Sequence, residues 1–144
     1  MNTFQASLEG KVGILTGGTS GFGYAMVRAL LDQDARVAVF SVDELPDTAR
    51  AELNTVGKGN FEYYTKNIMA DGASEEIVAQ TVERFGKLDF VIANAGFAIR
   101  FEEPLLDLSL EKVAASMRTQ FEIFPIAFAT LALAAARVMA PQYE

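Results

Sequence analysis

The chain has 144 residues, 51% of them hydrophobic, and a formal net charge of −7, which suits one globular domain with its own core. It contains no cysteine and no histidine, which excludes disulfides and thiolate catalysis and removes the commonest general base and zinc ligand, so no metal site is expected. The acidic balance argues against a nucleic-acid partner, because binding phosphates at scale needs a basic face.

Met1 to Gly10 has neither the basic nor the apolar segment of a secretory leader. The most apolar stretch, Ile123 to Ala136, has 14 residues, interrupted only by Thr130 and Pro125. A membrane span wants about 20 such residues, so this stretch is expected to form a buried or interface helix in a soluble, cytoplasmic protein without a membrane partner.

Short β-branched runs alternate with helical patterns. Lys11 to Thr16 reads as a strand ending in glycines, and Phe22 to Gln33 as a helix with Phe22, Met26, Val27, Leu30 and Leu31 at helical spacing. Asp34 occupies a turn that favours left-handed geometry, before a second strand from Arg36 to Ser41. A helix from about Leu45 to Val56, with Pro46 in its first turn, is predicted to stop at Gly57. Phe61 to Lys66 forms a third strand. Ser74 is predicted to cap the next helix, which carries Glu75 and Glu76 at its positive end and stops at Gly86. Leu88 to Ala93 is a fourth strand. After a loop to about Asp107, a helix capped by Ser109 runs to Ala140, with Pro125 kinking or splitting it and Pro141 marking its end.

This order predicts an α/β fold, a Rossmann-type doubly wound parallel sheet truncated after its fourth strand and a long helix, all within a single domain spanning 1–144. The fourth strand would then lie at an open sheet edge, a liability for an isolated chain.

The first strand runs directly into T-G-G-T-S-G-F-G, from Thr16 to Gly23, and then into a helix. That context gives a glycine motif its meaning as a dinucleotide site. Gly17 permits the tight turn, Gly21 lets the backbone approach a pyrophosphate, and Gly23 allows close packing of helix on strand. The helix N-terminus offers free amides and a positive dipole end, and Thr19 and Ser20 add hydroxyl donors.

The spacing Gly-x-x-x-Gly-x-Gly, together with Asn94-Ala95-Gly96 after the fourth strand, resembles the short-chain dehydrogenase/reductase family. G-K-V at Gly10 to Val12 and F-G-K-L-D at Phe85 to Asp89 extend the resemblance over essentially the whole chain. The resemblance implies an NAD- or NADP-dependent oxidoreductase that moves hydride between the nicotinamide and an alcohol/carbonyl substrate. It implies that Gly17, Thr19, Ser20, Gly21, Phe22 and Gly23 hold the pyrophosphate and adenosine ribose. Phe22 replaces the usual Ile or Leu. Asn67-Ile68 stands where the family has Asp-Val beside the adenine, and Asn94, Ala95 and Gly96 line the path towards the nicotinamide ribose.

Ser41 occupies the end of strand two, where an acid would bind the ribose 2′-hydroxyl, with Asp43 two residues on. No Lys or Arg lies in the turn or just after strand two, so the local charge leans towards NAD over NADP. Asp43 and Glu44 serve equally well as caps of the next helix.

The family's Tyr-x-x-x-Lys pair is absent. Tyr24, Tyr63 and Tyr64 are followed at that spacing by Arg28, Asn67 and Ile68, and Tyr143 lies too near the last residue. No catalytic residue is therefore assigned. The family's mid-helix asparagine falls at or near Gln120, which is read equally as a relay group or an ordinary helix residue. Two explanations stand: the cofactor-binding half of a longer oxidoreductase, favoured here, or a non-catalytic dinucleotide-binding or protein-interaction module. The resemblance also implies a homo-oligomer built through the long helix, with Phe121, Phe124, Phe128, Leu131 and Leu133 as its apolar contacts; an intrachain core competes.

Overall fold

The computed structural model describes residues 7–143. Most of the predicted leader-free segment, Met1 to Gly10, lies outside them. Four strands, β1 (Val12–Thr16), β2 (Arg36–Ser41), β3 (Phe61–Thr65) and β4 (Phe90–Ile92), form one sheet in the order β3-β2-β1-β4, with every pair parallel. This is the Rossmann-type α/β architecture. β1 is buried along its whole length because it lies between two neighbours with helices over both faces. β4 pairs on one side only, is three residues long rather than six, and is only half-buried.

The two faces of the sheet carry separate cores, as the two-residue strand period requires. On one face Leu15, Val37 and Val39 pack with Val27 and Leu31 of α1 (Gly21–Asp32) and Leu53 of α2 (Asp47–Gly57). On the other, Val12, Ile14, Ala38 and Phe40 pack with Ile77 and Val78 of α3 (Ala73–Phe85) and with Ile123, Ala127 and Leu131 of the long helix.

Several turns fall where their residues predict. Asp34 has φ 62, and Gly86 ends α3 with φ 85. Others do not. α2 does end at Gly57, which is buried where a Cβ would meet the Leu31 methyls at 3.1 and 3.3 Å, but the left-handed residue that caps it is the next one, Lys58. α3 is entered through Gly72 at φ 73, not capped by Ser74, whose hydroxyl donates to Thr130 Oγ1 at 3.0 Å across the helix pair. Ser109 does cap α4 (Leu110–Phe121), accepting the Lys112 N–H at 3.1 Å.

Pro125 neither splits nor ends the long helix. It sits in a wide π turn, Glu122–Ile126, whose longer hydrogen-bond reach absorbs the missing donor, and α5 (Ala127–Met139) continues from it. The continuous helix, Leu110–Gln142, is 33 residues long and by length and composition apolar enough to cross a membrane, where counting unbroken apolar residues predicted too few. In the fold its buried stripe, Ile123, Ala127, Leu131, Ala134 and Ala135, packs on α3 and the sheet.

Candidate functional site

The carboxyl ends of the parallel strands open into a cleft of about 510 Å³ beside β1, whose neighbours β2 and β4 leave in opposite directions. In doubly wound sheets this reversal point is where ligands bind. The cleft collects Gly17, Thr19, Ser20, Phe22 and Gly23 from the first turn, Ser41 and Asp43 from the end of β2, Asn67 and Ile68 from the end of β3, and Asn94, Ala95 and Gly96 from the end of β4. Of the residues predicted from sequence, only Gly21 does not line it.

The glycines are needed for two different reasons. Gly17 has φ 75, and a Cβ on it would lie 2.7 Å from the Ala95 Cα; a Cβ on Gly23 would lie 1.9 Å from the Gly17 carbonyl oxygen and 2.8 Å from Asn94 Nδ2. Both are close-packing glycines. Gly21 has φ 54 with open space on its side-chain side, so it serves the turn conformation and leaves room above the backbone. Gly18 was not singled out by sequence; a Cβ there would strike Val39 at 2.5 Å, and the Gly17-Gly18 doublet was its available signal.

α1 begins at this turn. Its N-cap, Ser20, is extended (φ −155, ψ 171) and makes no side-chain capping bond, and no acidic residue lies in the first turn. The unpaired amides and positive dipole end of this helix are therefore not neutralised by its own chain. By contrast α2, α3 and α4 each carry an acid in their first turn.

Thr16 and Asn94 fasten the turn to the β4 loop. Fully buried Thr16 accepts the Asn94 and Ala95 N–H groups on Oγ1, each at 3.1 Å. Asn94 Nδ2 donates to the carbonyls of Thr16 at 3.1 Å and Gly17 at 3.0 Å. Asn94 is thus both a lining residue and a latch, and the latch shapes the glycine turn from behind. The sequence places Thr16 at the end of a strand and the start of the glycine turn, but no local pattern shows its bonds to the β4 loop.

At one end of the cleft, Phe124 lies where a Gly96 Cβ would be, at 2.5 Å, and Gln120 Nε2 donates to the Phe97 carbonyl at 3.0 Å. Gln120 thus ties α4 to the loop. At the other end, the Tyr63 hydroxyl donates to the Asp43 carbonyl, and Asn67 Oδ1 accepts the Met69 N–H at 3.0 Å, which folds Asn67 into a local turn. Val42, Lys66, Met69, Phe97 and Ile123 also line the cleft and were not predicted. Strand register brings Lys66 beside Ser41, whose carbonyl accepts the Lys66 N–H at 2.7 Å. No local sequence pattern shows that pairing.

Among the described residues, no tyrosine lines the cleft. The Tyr24 hydroxyl donates to Glu52 Oε2 at 2.8 Å, and the Tyr64 ring stacks on Phe40 at 4.9 Å. Burial raises the pKa of Tyr24, Tyr63 and Tyr64, the opposite of what a tyrosine poised for proton transfer needs. Among the described residues, no group of three or more Asp or Glu side chains converges to hold a metal.

Residues 11–139 match the family model described as short chain dehydrogenase. Short-chain dehydrogenase reductase 3a of Arabidopsis thaliana is 37% identical over 112 residues, covering 76% of this chain and 42% of that protein. The solved structure of NAD+-bound xylitol dehydrogenase superposes with a TM-score of 0.80 at 25% identity, covering 95% of this chain and 51% of the other. An NADPH-dependent 3-quinuclidinone reductase from Rhodotorula rubra gives 0.79 at 25% identity, covering 94% and 50%. The chain spans about half or less of the length of each.

Proposed function

Since the chain belongs to the short-chain dehydrogenase family, we propose that its cleft binds NAD or NADP and that the chain supplies the cofactor-binding half of an oxidoreductase acting on an alcohol/carbonyl pair. The observation that carries this reading is the convergence of the glycine turn and Asn94-Ala95-Gly96 on one cleft at the sheet's reversal point. The residues fit such an occupant: an un-neutralised helix N-terminus for the pyrophosphate, open space over Gly21, and a volume within the usual 300–1,000 Å³ of small-molecule sites.

When bound, the cofactor supplies the hydride. The chain's own residues bind and orient. First-turn amides of α1, with the hydroxyls of Thr19 and Ser20, face the phosphates; Ser41 and Asp43 face the adenosine ribose; Asn67 and Ile68 flank the adenine; and the loop latched by Thr16 carries the path towards the nicotinamide. Asp43 favours an unphosphorylated ribose, hence NAD. Among the described residues, no tyrosine lies in the cleft to exchange a proton with a substrate oxygen. For this chain by itself the second reading, a non-catalytic dinucleotide-binding module, is favoured by the lack of a tyrosine among the described residues of the cleft.

Calorimetric titration of the 144-residue chain with NADH and NADPH tests the reading. Saturable one-site binding is expected; no heat with either at millimolar ligand would overturn it. The same reading assigns the exposed apolar residues of the long helix, Phe121, Phe124 and Leu133, to a subunit interface in a cytoplasmic homo-oligomer, not to a bilayer. Leu131 cannot serve there, because it is 1% exposed and packs in the chain's own core. Size-exclusion over a concentration series checks it, and a monomer at every concentration would refute it.

A further inference from the structure

We propose that Lys66, the one cation among the described residues lining the cleft, decides how well the site tolerates a phosphate monoester on the adenosine ribose, and that Glu76 tunes the decision by holding that cation. The proposal rests on the cofactor-binding reading above.

Lys66 directly follows β3, and its backbone bond to Ser41 places it beside the end of β2, where the ribose would lie. Its side chain is 25% exposed and forms an ion pair with Glu76, in the first turn of α3. Asp43, the one acid among the described residues lining the cleft, sits on the adjoining loop with its carbonyl fixed by Tyr63. Arg50 of α2 lies 5.2 Å from the Tyr63 ring centroid and is not among the lining residues. The sequence has no Lys or Arg from Thr16 to Gly23 or from Ser41 to Pro46.

The charges bearing on the ribose are therefore Asp43, which repels a phosphate, and Lys66, which attracts one to the extent that Glu76 releases it. A phosphate dianion competes with the Glu76 carboxylate for the same ammonium. Glu76 is 57% exposed, so water solvates it readily once displaced. The site is thus balanced: it prefers the unphosphorylated ribose while the ion pair holds and admits the phosphorylated one when the pair opens.

The test compares 5′-AMP with 2′,5′-ADP, which differ only in the 2′-phosphate, by titration into the 144-residue chain and its K66Q, K66R and E76Q variants. K66Q is expected to weaken 2′,5′-ADP roughly tenfold, the scale of one partly screened charge contact. 5′-AMP affinity should change less than about twofold, because its 5′-phosphate sits on the glycine turn. K66R should retain the wild-type ratio, and E76Q should tighten 2′,5′-ADP by a similar factor. Thermal midpoints establish that each variant is folded; should K66Q unfold, E76Q and K66R decide the matter. Equal ratios in wild type and E76Q, or in wild type and a folded K66Q, overturn the proposal and leave the cleft reading standing, because 5′-AMP still binds. Failure of the wild type to bind either nucleotide overturns both.

Discussion

Replacing Gly23 by alanine tests whether the glycine turn is held by close packing. The added Cβ would lie 1.9 Å from the Gly17 carbonyl oxygen and 2.8 Å from Asn94 Nδ2. The carbonyl oxygen is backbone, and Asn94 Nδ2, although a side-chain end, is held by its bonds to the Thr16 and Gly17 carbonyls, so the first turn of α1 must lift by roughly 1 Å to restore van der Waals separation. Overpacking of this kind costs about 1–3 kcal/mol. The displacement also strains the two Asn94 bonds to the Thr16 and Gly17 carbonyls, at about 1 kcal/mol each. The total is about 3–5 kcal/mol, a fall in melting temperature of roughly 10–15 °C for a chain of this size. Gly21→Ala is the internal control. It lies in the same turn with open space around it, so only left-handed strain applies, about 1 kcal/mol or roughly 3 °C. Calorimetric melting of both variants measures the difference. If Gly23→Ala melts no lower than Gly21→Ala, the close-packing account of the turn is wrong.

Thr16→Val preserves shape but leaves the Asn94 and Ala95 N–H groups without their shared acceptor, so urea denaturation should show a loss of about 2–4 kcal/mol, with Thr16→Ser close to wild type. Burial raises the pKa of Asp89, but hydrogen bonds from Lys87, the Val12 N–H and Lys11 outweigh it and hold the group at about 2 against an ordinary 3.8. A depressed carboxylate stabilises the fold above the ordinary value and ceases to as pH falls through the folded one. About 2 kcal/mol should therefore disappear between roughly pH 5 and 2, and Asp89→Asn should lose it at pH 7 and flatten that acid limb. Finally, the 144-residue chain should not oxidise NADH or NADPH with any carbonyl, because among the described residues no tyrosine lines the cleft to protonate a carbonyl oxygen; steady loss of absorbance at 340 nm above the protein-free rate would refute this.

The parts of the fold legible in the sequence are those specified locally. β1, the glycine turn and α1 follow from an apolar run, glycine punctuation and helical spacing within about twenty residues. What escaped depends on distant partners. Ser74 has the chemistry of a cap, but Thr130, 56 residues away, takes its hydroxyl, and the helix begins through left-handed Gly72 instead. Gly57 is the last residue of its helix as expected, yet the left-handed turn falls on Lys58, and what Gly57 supplies is room for Leu31. Within the cleft, Lys66 escaped because strand register, which no local pattern shows, places it at Ser41. Pro125 announced a disturbance, but which kind depended on whether the backbone could widen into a π turn and keep Ile123 against the cleft.

The two cores on opposite faces of the sheet have a consequence for how the molecule forms. The face under α1 and α2 draws its buried members from Leu15 to Tyr63, whereas the opposite face is not complete until Ala135. A ribosome releases chains from the N-terminus, and units fold as their partners emerge. The first face can consolidate with less than half the chain released, whereas the second waits on the long helix. Pulse-labelled hydrogen exchange should show Val27 and Leu53 protected before Leu131. The glycine turn belongs to the early stage, but Asn94, which latches it, is released 71 residues after Gly23. During synthesis the phosphate-binding turn therefore exists as an unlatched loop, and it acquires its binding shape only when the last strand docks.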